Sequence, residues 1–436
     1  MSVLPAVGAK SRSWPRLAHV SWTLVDQGTW ALSNLLVGVV AARILSPRQF
    51  GAFSVVYILL SFMTGASRAA ASEPLLVRYS NGATTSTQSR RSLAGSLVLG
   101  VGMGLLILPA AALVPQPTRG ALLALAAFSP VFAAQDALRY VFLVRTRASR
   151  AALIDLVWVA VFVALVPVLV SVPTATVAMV LWGVAALASA GLGLVLEGVV
   201  PRIASAWTWF RNEGDLGWRF VVEFAAQSGA TQIPLWVAGA VVGLEAAGHL
   251  RGAQLLFGPL RVLLLAAPAV LIPAAVAALA ENPAGFTRVV QRVGGVIFAA
   301  SAAITLVFVF LPDAVGRQLL GETWPGAQEL LLPIGLSWCA VGWGTAALAG
   351  LRALQAVRRS LAVRLYLFSV TVVIGVVGVV LWGAKGAAWA AAVASVHSSL
   401  VWLVALSGAM RAHRPRDRDE EGDGVVHGRE VGDRRA

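Results

Sequence analysis

Two guanidinium groups and a side-chain amide stand beside a helix-breaking pair in the stretch Arg251-Gly252-Ala253-Gln254 through Gly258-Pro259-Leu260-Arg261, whose other residues are apolar. A guanidinium forks onto phosphate or carboxylate with two parallel hydrogen bonds, so the chemistry these residues suggest is anion binding. On a helix rising about 1.5 Å per residue, Arg261 lies roughly 12 Å from the outer end of its segment, beyond the reach of a snorkelling side chain. It therefore faces either an internal ion-pair partner or an anionic ligand in a cavity. Gly258 and Pro259 interrupt the helix just before it, and freed backbone groups in an apolar setting are tolerated beside protein, water or ligand.

Other polar residues fall at helical spacing in apolar runs. Thr23, Gln27, Asn34 and Gly38 share one face, with Asp26 beside them. Glu223, Gln227, Ala230, Thr231 and Pro234 repeat the theme. Cavity lining and helix-to-helix hydrogen bonding both account for such stripes. Asp26 and Glu223 lie within about 12 Å of the inner boundary, at ~1.5 Å per residue, too far from the centre to be convincing ion sites alone. Pairing with inner arginines would make them a cytoplasmic gate or ion-coupling groups, a reading that Asp136, Arg139 and Asp155 extend. Asp136 and Arg139 are also spaced for a local salt bridge on one helix. His397 divides between structural glue and function. The single cysteine, Cys339, has no CxxC or histidine companion, so neither a metal nor another cofactor is expected, and no catalytic residue is assigned.

The elements that position these residues follow from composition. Of 436 residues, 58% are hydrophobic and 12% charged, with a mean hydropathy of +0.79. Soluble domains carry about 25% charged residues, so this chain has more apolar surface than globular cores hide. It is expected to be an all-α polytopic membrane protein of about twelve transmembrane helices in two pseudo-symmetric six-helix lobes. Apolar windows fall at 19–43, 50–70, 92–114, 120–142, 151–172, 176–199, 219–243, 253–279, 290–311, 327–350, 362–382 and 387–410. With the amino end inside, the inner segments hold twenty basic residues before the tail, whereas outer loops hold six: Arg43, Arg48, Arg119, Arg251, Arg317 and Lys385. That bias satisfies the positive-inside rule and places both termini in the cytoplasm, as a multi-pass protein of the inner (plasma) membrane. A pI of 11.4 is then explained by arginine-rich inner loops, and nucleic acid is not an expected partner. The first apolar run is too long for a signal peptide and reads as a retained span.

The expected organisation is a cytoplasmic amino-terminal segment 1–18, an N-terminal six-helix lobe 19–200, a cytoplasmic linker 201–218, a C-terminal six-helix lobe 219–410 and a disordered tail 411–436. The linker carries Trp207, Trp209 and Phe210 beside Arg202 and Arg211, which suits either a short amphipathic piece in the headgroup layer or a plain loop. Shifting the chain by 197 positions lays Asp26 on Glu223, Asn34 on Thr231, Gly51 on Gly248 and the third span on the ninth. Six-span units related this way are parallel repeats about an axis along the membrane normal, and a cavity between them implies alternating access. A monomer is expected, since two lobes already enclose a pathway.

The run Ala41-Ala42-Arg43-Ile44-Leu45-Ser46-Pro47-Arg48-Gln49-Phe50-Gly51, preceded by Gln27 and Asn34, resembles a motif that closes the first span of polysaccharide exporters of the O-antigen flippase type. These belong to the multidrug/oligosaccharidyl-lipid/polysaccharide (MOP) exporter superfamily. Ala246-Ala247-Gly248-His249-Leu250-Arg251-Gly252-Ala253-Gln254, followed by Gly258-Pro259-Leu260, is similar to that family's passage into the eighth span. The resemblance implies a flippase moving a polyprenyl-diphosphate-linked oligosaccharide, a polysaccharide precursor, from inner to outer leaflet. It further implies that Arg261 and Arg251 hold the diphosphate; the polar residues Gln254, Gln27, Asn34 and Gln227 are the candidates, from their spacing, for lining the same cavity. Membrane lipids and a polysaccharide polymerase or glycosyltransferases are the implied partners. The chain has no additional pair of spans for the lipid tail. A cation-coupled multidrug or small-molecule antiporter on the same fold is the alternative; it requires Asp26 or Glu223 and dispenses with Arg261. A polytopic glycan enzyme would need a substantial outer loop, and a scaffold without transport would gain nothing from intramembrane polar stripes.

Overall fold

The computed structural model describes residues 33–79, 85–198, 200–354 and 356–413. Asp26, Gln27, the start of the first span and the tail beyond 413 lie outside the described residues. The helices are α1 Ser33–Ile44, α2 Pro47–Ser67, α3 Glu73–Tyr79, α4 Ser86–Leu113, α5 Thr118–Val144, α6 Ala148–Ser171, α7 Ala175–Glu197 and α8 Ser205–Val237. They continue with α9 Leu244–Leu256, α10 Gly258–Glu281, α11 Pro283–Val309, α12 Asp313–Leu320, α13 Trp324–Gln328, α14 Leu331–Ala353 and α15 Val357–His413. Single π-turns, Arg68–Ser72 and Ala238–Val242, join α2 to α3 and extend α8. Among the described residues eight helices are long and apolar enough to cross a membrane, and α15 supplies two of the crossings by folding back at Trp382 and Gly383. Gly383 makes that reversal at φ 61°, a backbone angle open to glycine without a side-chain clash. With α1, α8 and the α9–α10 pair, twelve crossings result.

Helices α4 to α7 pack on one another in the first half, and α10, α11, α14 and α15 in the second, giving two lobes. Their seam is the crossing of α2 with α9 and α8. Here the expected repeat is visible as geometry. Pro47 and Leu244 open α2 and α9, 197 positions apart, and Ser86 and Pro283 open α4 and α11 at the same interval. A Cβ on Gly51 would fall inside the Leu244 carbonyl, and one on Gly248 would lie 2.6 Å from the Pro47 carbonyl, so the two glycines make each other's contact across the pseudo-axis. Small residues let backbones approach this closely in a bilayer, where dispersion and not water exclusion holds helices together. The interval lengthens beyond residue 310, where α12 and α13 are inserted on the outer side.

Three expectations need correction. The eighth crossing opens at Leu244 and not at 253, so Arg251 belongs to the second turn of α9 and not to an outer loop. Hydropathy missed this turn because His249 and Arg251 depress the window. The outer segment between α11 and α14 is not a bare short loop but holds α12 and α13, with Trp324 fully buried under them. The linker is helical from Ser205 and runs unbroken into the seventh crossing. Its Trp209 packs among Ala71, Leu75, Val141 and Val144, whereas Trp207 is 75% exposed.

Candidate functional site

The α2–α9 crossing brings together residues from both lobes in the outer half of the seam. The Arg251 guanidinium stands over the Tyr57 ring, 5.8 Å from its centroid, within cation–π range. The Tyr57 hydroxyl donates to Asn34 Oδ1 on α1. One helical turn past Arg251, Gln254 is half-buried on α9 and is the repeat counterpart of Tyr57. Ser54, the counterpart of Arg251, is buried with an Oγ that has no hydrogen-bond partner among the described residues. Behind Tyr57 an aromatic wall fills the first lobe. Trp158 stacks on Trp182 at 4.4 Å, Phe162 meets Trp182 edge-on at 5.4 Å, and Phe53 lies 5.6 Å from Tyr57. Trp158 Nε1 donates to the Trp182 carbonyl at 3.1 Å, so the indole polar group does not disturb the apolar wall.

Helix α9 ends at Phe257, whose φ −84°, ψ 5° leaves the helical region, and α10 begins with Pro259 in its first turn. Proline is tolerated there because that N–H has no helical acceptor anyway. Phe257 is fully buried against Phe308 at 5.3 Å, which anchors the break in the second lobe. Below it α10 packs on α11 and α14, while α9 stays on α2. The break thus lets one crossing hold the outer seam and line the second lobe with its inner half. Arg261 lies on α10 four residues past Phe257, and its side chain is outside the described residues, as are those of Gln227 and Thr231 on α8.

A second polar cluster lies wholly within the first lobe. Arg68 donates to both oxygens of Asp136, at 3.0 and 2.6 Å. Arg139 Nε is 2.8 Å from Asp155 Oδ2, an ion contact off the hydrogen-bond line. Gln135 donates to Asp155 at 2.8 Å, and Ser189 to the Ile154 carbonyl at 2.7 Å. Asp136 and Arg139 are 4.0 Å apart, so the local pair expected from spacing is secondary to partners on other helices. Two arginines and two aspartates balance in a site where Arg139 is 3% exposed, which is how charges persist in an apolar lobe. These groups tie the π-turn after α2 to α5, α6 and α7 within the first lobe.

Glu223 is exposed and its Oε1 accepts from Arg364 at 3.1 Å, a pair within the second lobe. In the same lobe Tyr366, half exposed, and His397 are joined at 3.1 Å. At the inner rim Arg78 holds Glu213 at 2.5 Å and Asp215 at 3.0 Å, and Tyr79 donates to Glu213 at 2.8 Å, locking the start of α8 onto the first lobe. Among the described residues no group of His, Cys, Asp and Glu could hold a metal. The sequence reading named Arg251, Gln254 and Asn34 but not Tyr57, Ser54, Trp158 or Trp182. Tyr57 is one of only four tyrosines and stands 197 positions before Gln254, a signal that the repeat made available.

No protein-family model matches the chain, and no curated protein sequence matches it. Solved structures do match in fold. A multidrug resistance MATE family transporter of the MOP superfamily in its inward-facing conformation superposes with a TM-score of 0.67 at 15% identity, over 88% of this chain and 95% of that one. An outward-facing multidrug resistance MATE family transporter of the MOP superfamily gives 0.57 at 14% identity, over 90% and 94%. A MOP superfamily transporter from Pyrococcus furiosus, described as having a binding pocket of reversed polarity that suggests a different function, gives 0.56 at 15% identity, over 90% and 95%. The chain therefore has the all-α, two-lobed fold of these transporters.

Proposed function

We propose that this chain is a plasma-membrane transporter that works by alternating access, and that it exports small amphipathic solutes in exchange for a cation. The observation that carries the reading is the reciprocal Gly51–Gly248 crossing, which closes the outer seam while the break at Phe257 frees α10 below it. The better superposition on an inward-facing than on an outward-facing transporter supports the same state. The rings around Tyr57 and Trp182 are buried in this state and become a stacking surface for an amphipathic solute only when the seam opens. Coupling falls to Glu223, an exposed carboxylate held by one guanidinium, where a proton or sodium ion competes with Arg364. In proteoliposomes a fluorescent cationic dye is expected to be extruded in a Glu223-dependent manner, with Glu223→Gln abolishing coupled export. Export unchanged in that variant rejects the coupling role.

A second reading, the flipping of a polyprenyl-diphosphate-linked saccharide, is favoured by Arg251 in the seam, since a guanidinium pairs with phosphate through two hydrogen bonds and repels cations. It expects leaflet transfer of a fluorescent polyprenyl-diphosphate saccharide to be lost in Arg251→Ala and kept in Glu223→Gln. The two assays, run on the same three proteins, separate the readings. A polymerase or glycosyltransferase partner belongs only to the second.

A further inference from the structure

A cavity of about 580 Å³ opens on the outer face where the lobes meet, lined by Arg43, Ser46 and Gln49 from one lobe and Arg317, Gly321 and Glu322 from the other. Its volume lies within the range of small-ligand sites, roughly 300–1,000 Å³. Both guanidiniums border it, and among the described residues neither is held in an ion pair. One acid, Glu322, faces two arginines, so the lining is net positive. Helix α2 adds to that potential. Ser46 caps it with extended backbone and no side-chain cap bond, Phe50 N–H is the donor that reaches the Ser46 carbonyl, and the amides of Arg48 and Gln49 have no acceptor inside the helix. Gln49 is fixed by accepting from Ala175 N–H at 2.9 Å, which holds the cavity floor in place. Gly321, at φ 57°, brings the α12 turn against Arg43, where a Cβ would lie 2.7 Å from the Arg43 carbonyl. The two walls of the cavity therefore belong to elements that separate if the outer seam opens.

We propose that this outer cavity is a binding site for a phosphate-bearing anion, held by Arg43 and Arg317 against the α2 N-terminus. Guanidinium forks and orphan helix amides are the donor set that phosphate oxygens accept from. Occupancy bridges the lobes and favours the outer-closed state; this part rests on the alternating-access reading, whereas the site itself does not. The phosphate can come from an outer-leaflet phospholipid headgroup or from a soluble phosphorylated solute.

The test uses the full chain in phosphatidylcholine nanodiscs, with radiolabelled inorganic pyrophosphate as probe in equilibrium dialysis. Saturable binding is expected, weakened about tenfold or more in Arg43→Gln/Arg317→Gln, retained in part in Arg43→Lys/Arg317→Lys, and not weakened in Glu322→Gln. If phosphatidylglycerol in the nanodiscs competes with pyrophosphate, the headgroup is the natural source; if it does not, the soluble anion is. Binding that is absent in the wild type, or equal in the double glutamine variant, overturns the site. Spin labels at Val172→Cys and Val315→Cys, both exposed outer positions on opposite lobes, in a Cys339→Ala background, report the seam. Pyrophosphate is expected to enrich the shorter distance. Arginine-dependent binding without that enrichment keeps the site and overturns its role in closure.

Discussion

Arg139 and Asp155 show what a buried charge costs and what it secures. Arg139 Nε and Asp155 Oδ2 lie 2.8 Å apart, and both side chains are buried. Asp155→Leu removes the carboxylate nearest the guanidinium, and Asp136, 4.0 Å away, is already engaged by Arg68. Removal of one partner of a buried pair costs about 3–5 kcal/mol, whereas replacing both with apolar groups costs far less. Asp155→Leu is therefore expected to lower the thermal midpoint of the solubilised protein sharply, and Arg139→Met/Asp155→Leu to recover much of the loss, measured by intrinsic tryptophan fluorescence. A second prediction concerns Tyr57. Its ring supports Arg251 and its hydroxyl serves Asn34, so Tyr57→Phe keeps the first contact and Tyr57→Leu loses both. Transport is expected to change little in the phenylalanine variant and to fall by about three- to tenfold in the leucine one, in keeping with a desolvated cation–π contact. Spacing alone made Asp136 and Arg139 visible as a pair. It did not reveal Arg68, 68 positions from Asp136, because a long-range partner leaves no periodic trace in the chain.

At the scale of elements, the close approach of α2 and α9 is the feature on which the outer closure depends. No side chain fits at Gly51 without displacing the Leu244 carbonyl, which is backbone and does not rotate away. Gly51→Ala is expected to part the two helices at their outer ends and to cost about 1–3 kcal/mol of packing in the closed state. The parting should expose Leu255, which is buried at 5% and lies with its Cδ2 2.5 Å from the position of an added Cβ on Gly38. With Leu255→Cys in a Cys339→Ala background, a membrane-impermeant maleimide applied from outside should label the Gly51→Ala protein quickly and its parent slowly. Equal rates would show that the seam closes elsewhere. These elements were legible in uneven measure. The 197-residue interval and the Gly258-Pro259 break were readable because repeats and helix breakers are local or periodic. The true start of α9 was not, since burial between lobes lets Arg251 and His249 enter a crossing that a hydropathy window rejects.

For the whole molecule, twelve crossings and their orientation follow from apolar length and from the placing of arginine, two quantities that a bilayer reads directly. What the sequence left open was the state. If the chain works by alternating access as proposed, the seam closed by α2 and α9 on the outside, and bridged there by the Gly321–Arg43 contact, must open in each cycle. Ser46 and Glu322 line the same outer cavity from opposite lobes and both are exposed. Cysteines at these two positions, with Cys339→Ala, should join readily through a short cleavable bismaleimide when the outer side is closed. Joining fixes the lobes without touching Arg251, Tyr57 or Glu223, so solute binding from the cytoplasmic side should survive while net transport stops, and cleavage of the linker should restore it. A linked protein that still transports at the rate of the unlinked one would mean that solute passes without separation of the outer seam, and the rocking of two lobes would have to give way to a path within one of them.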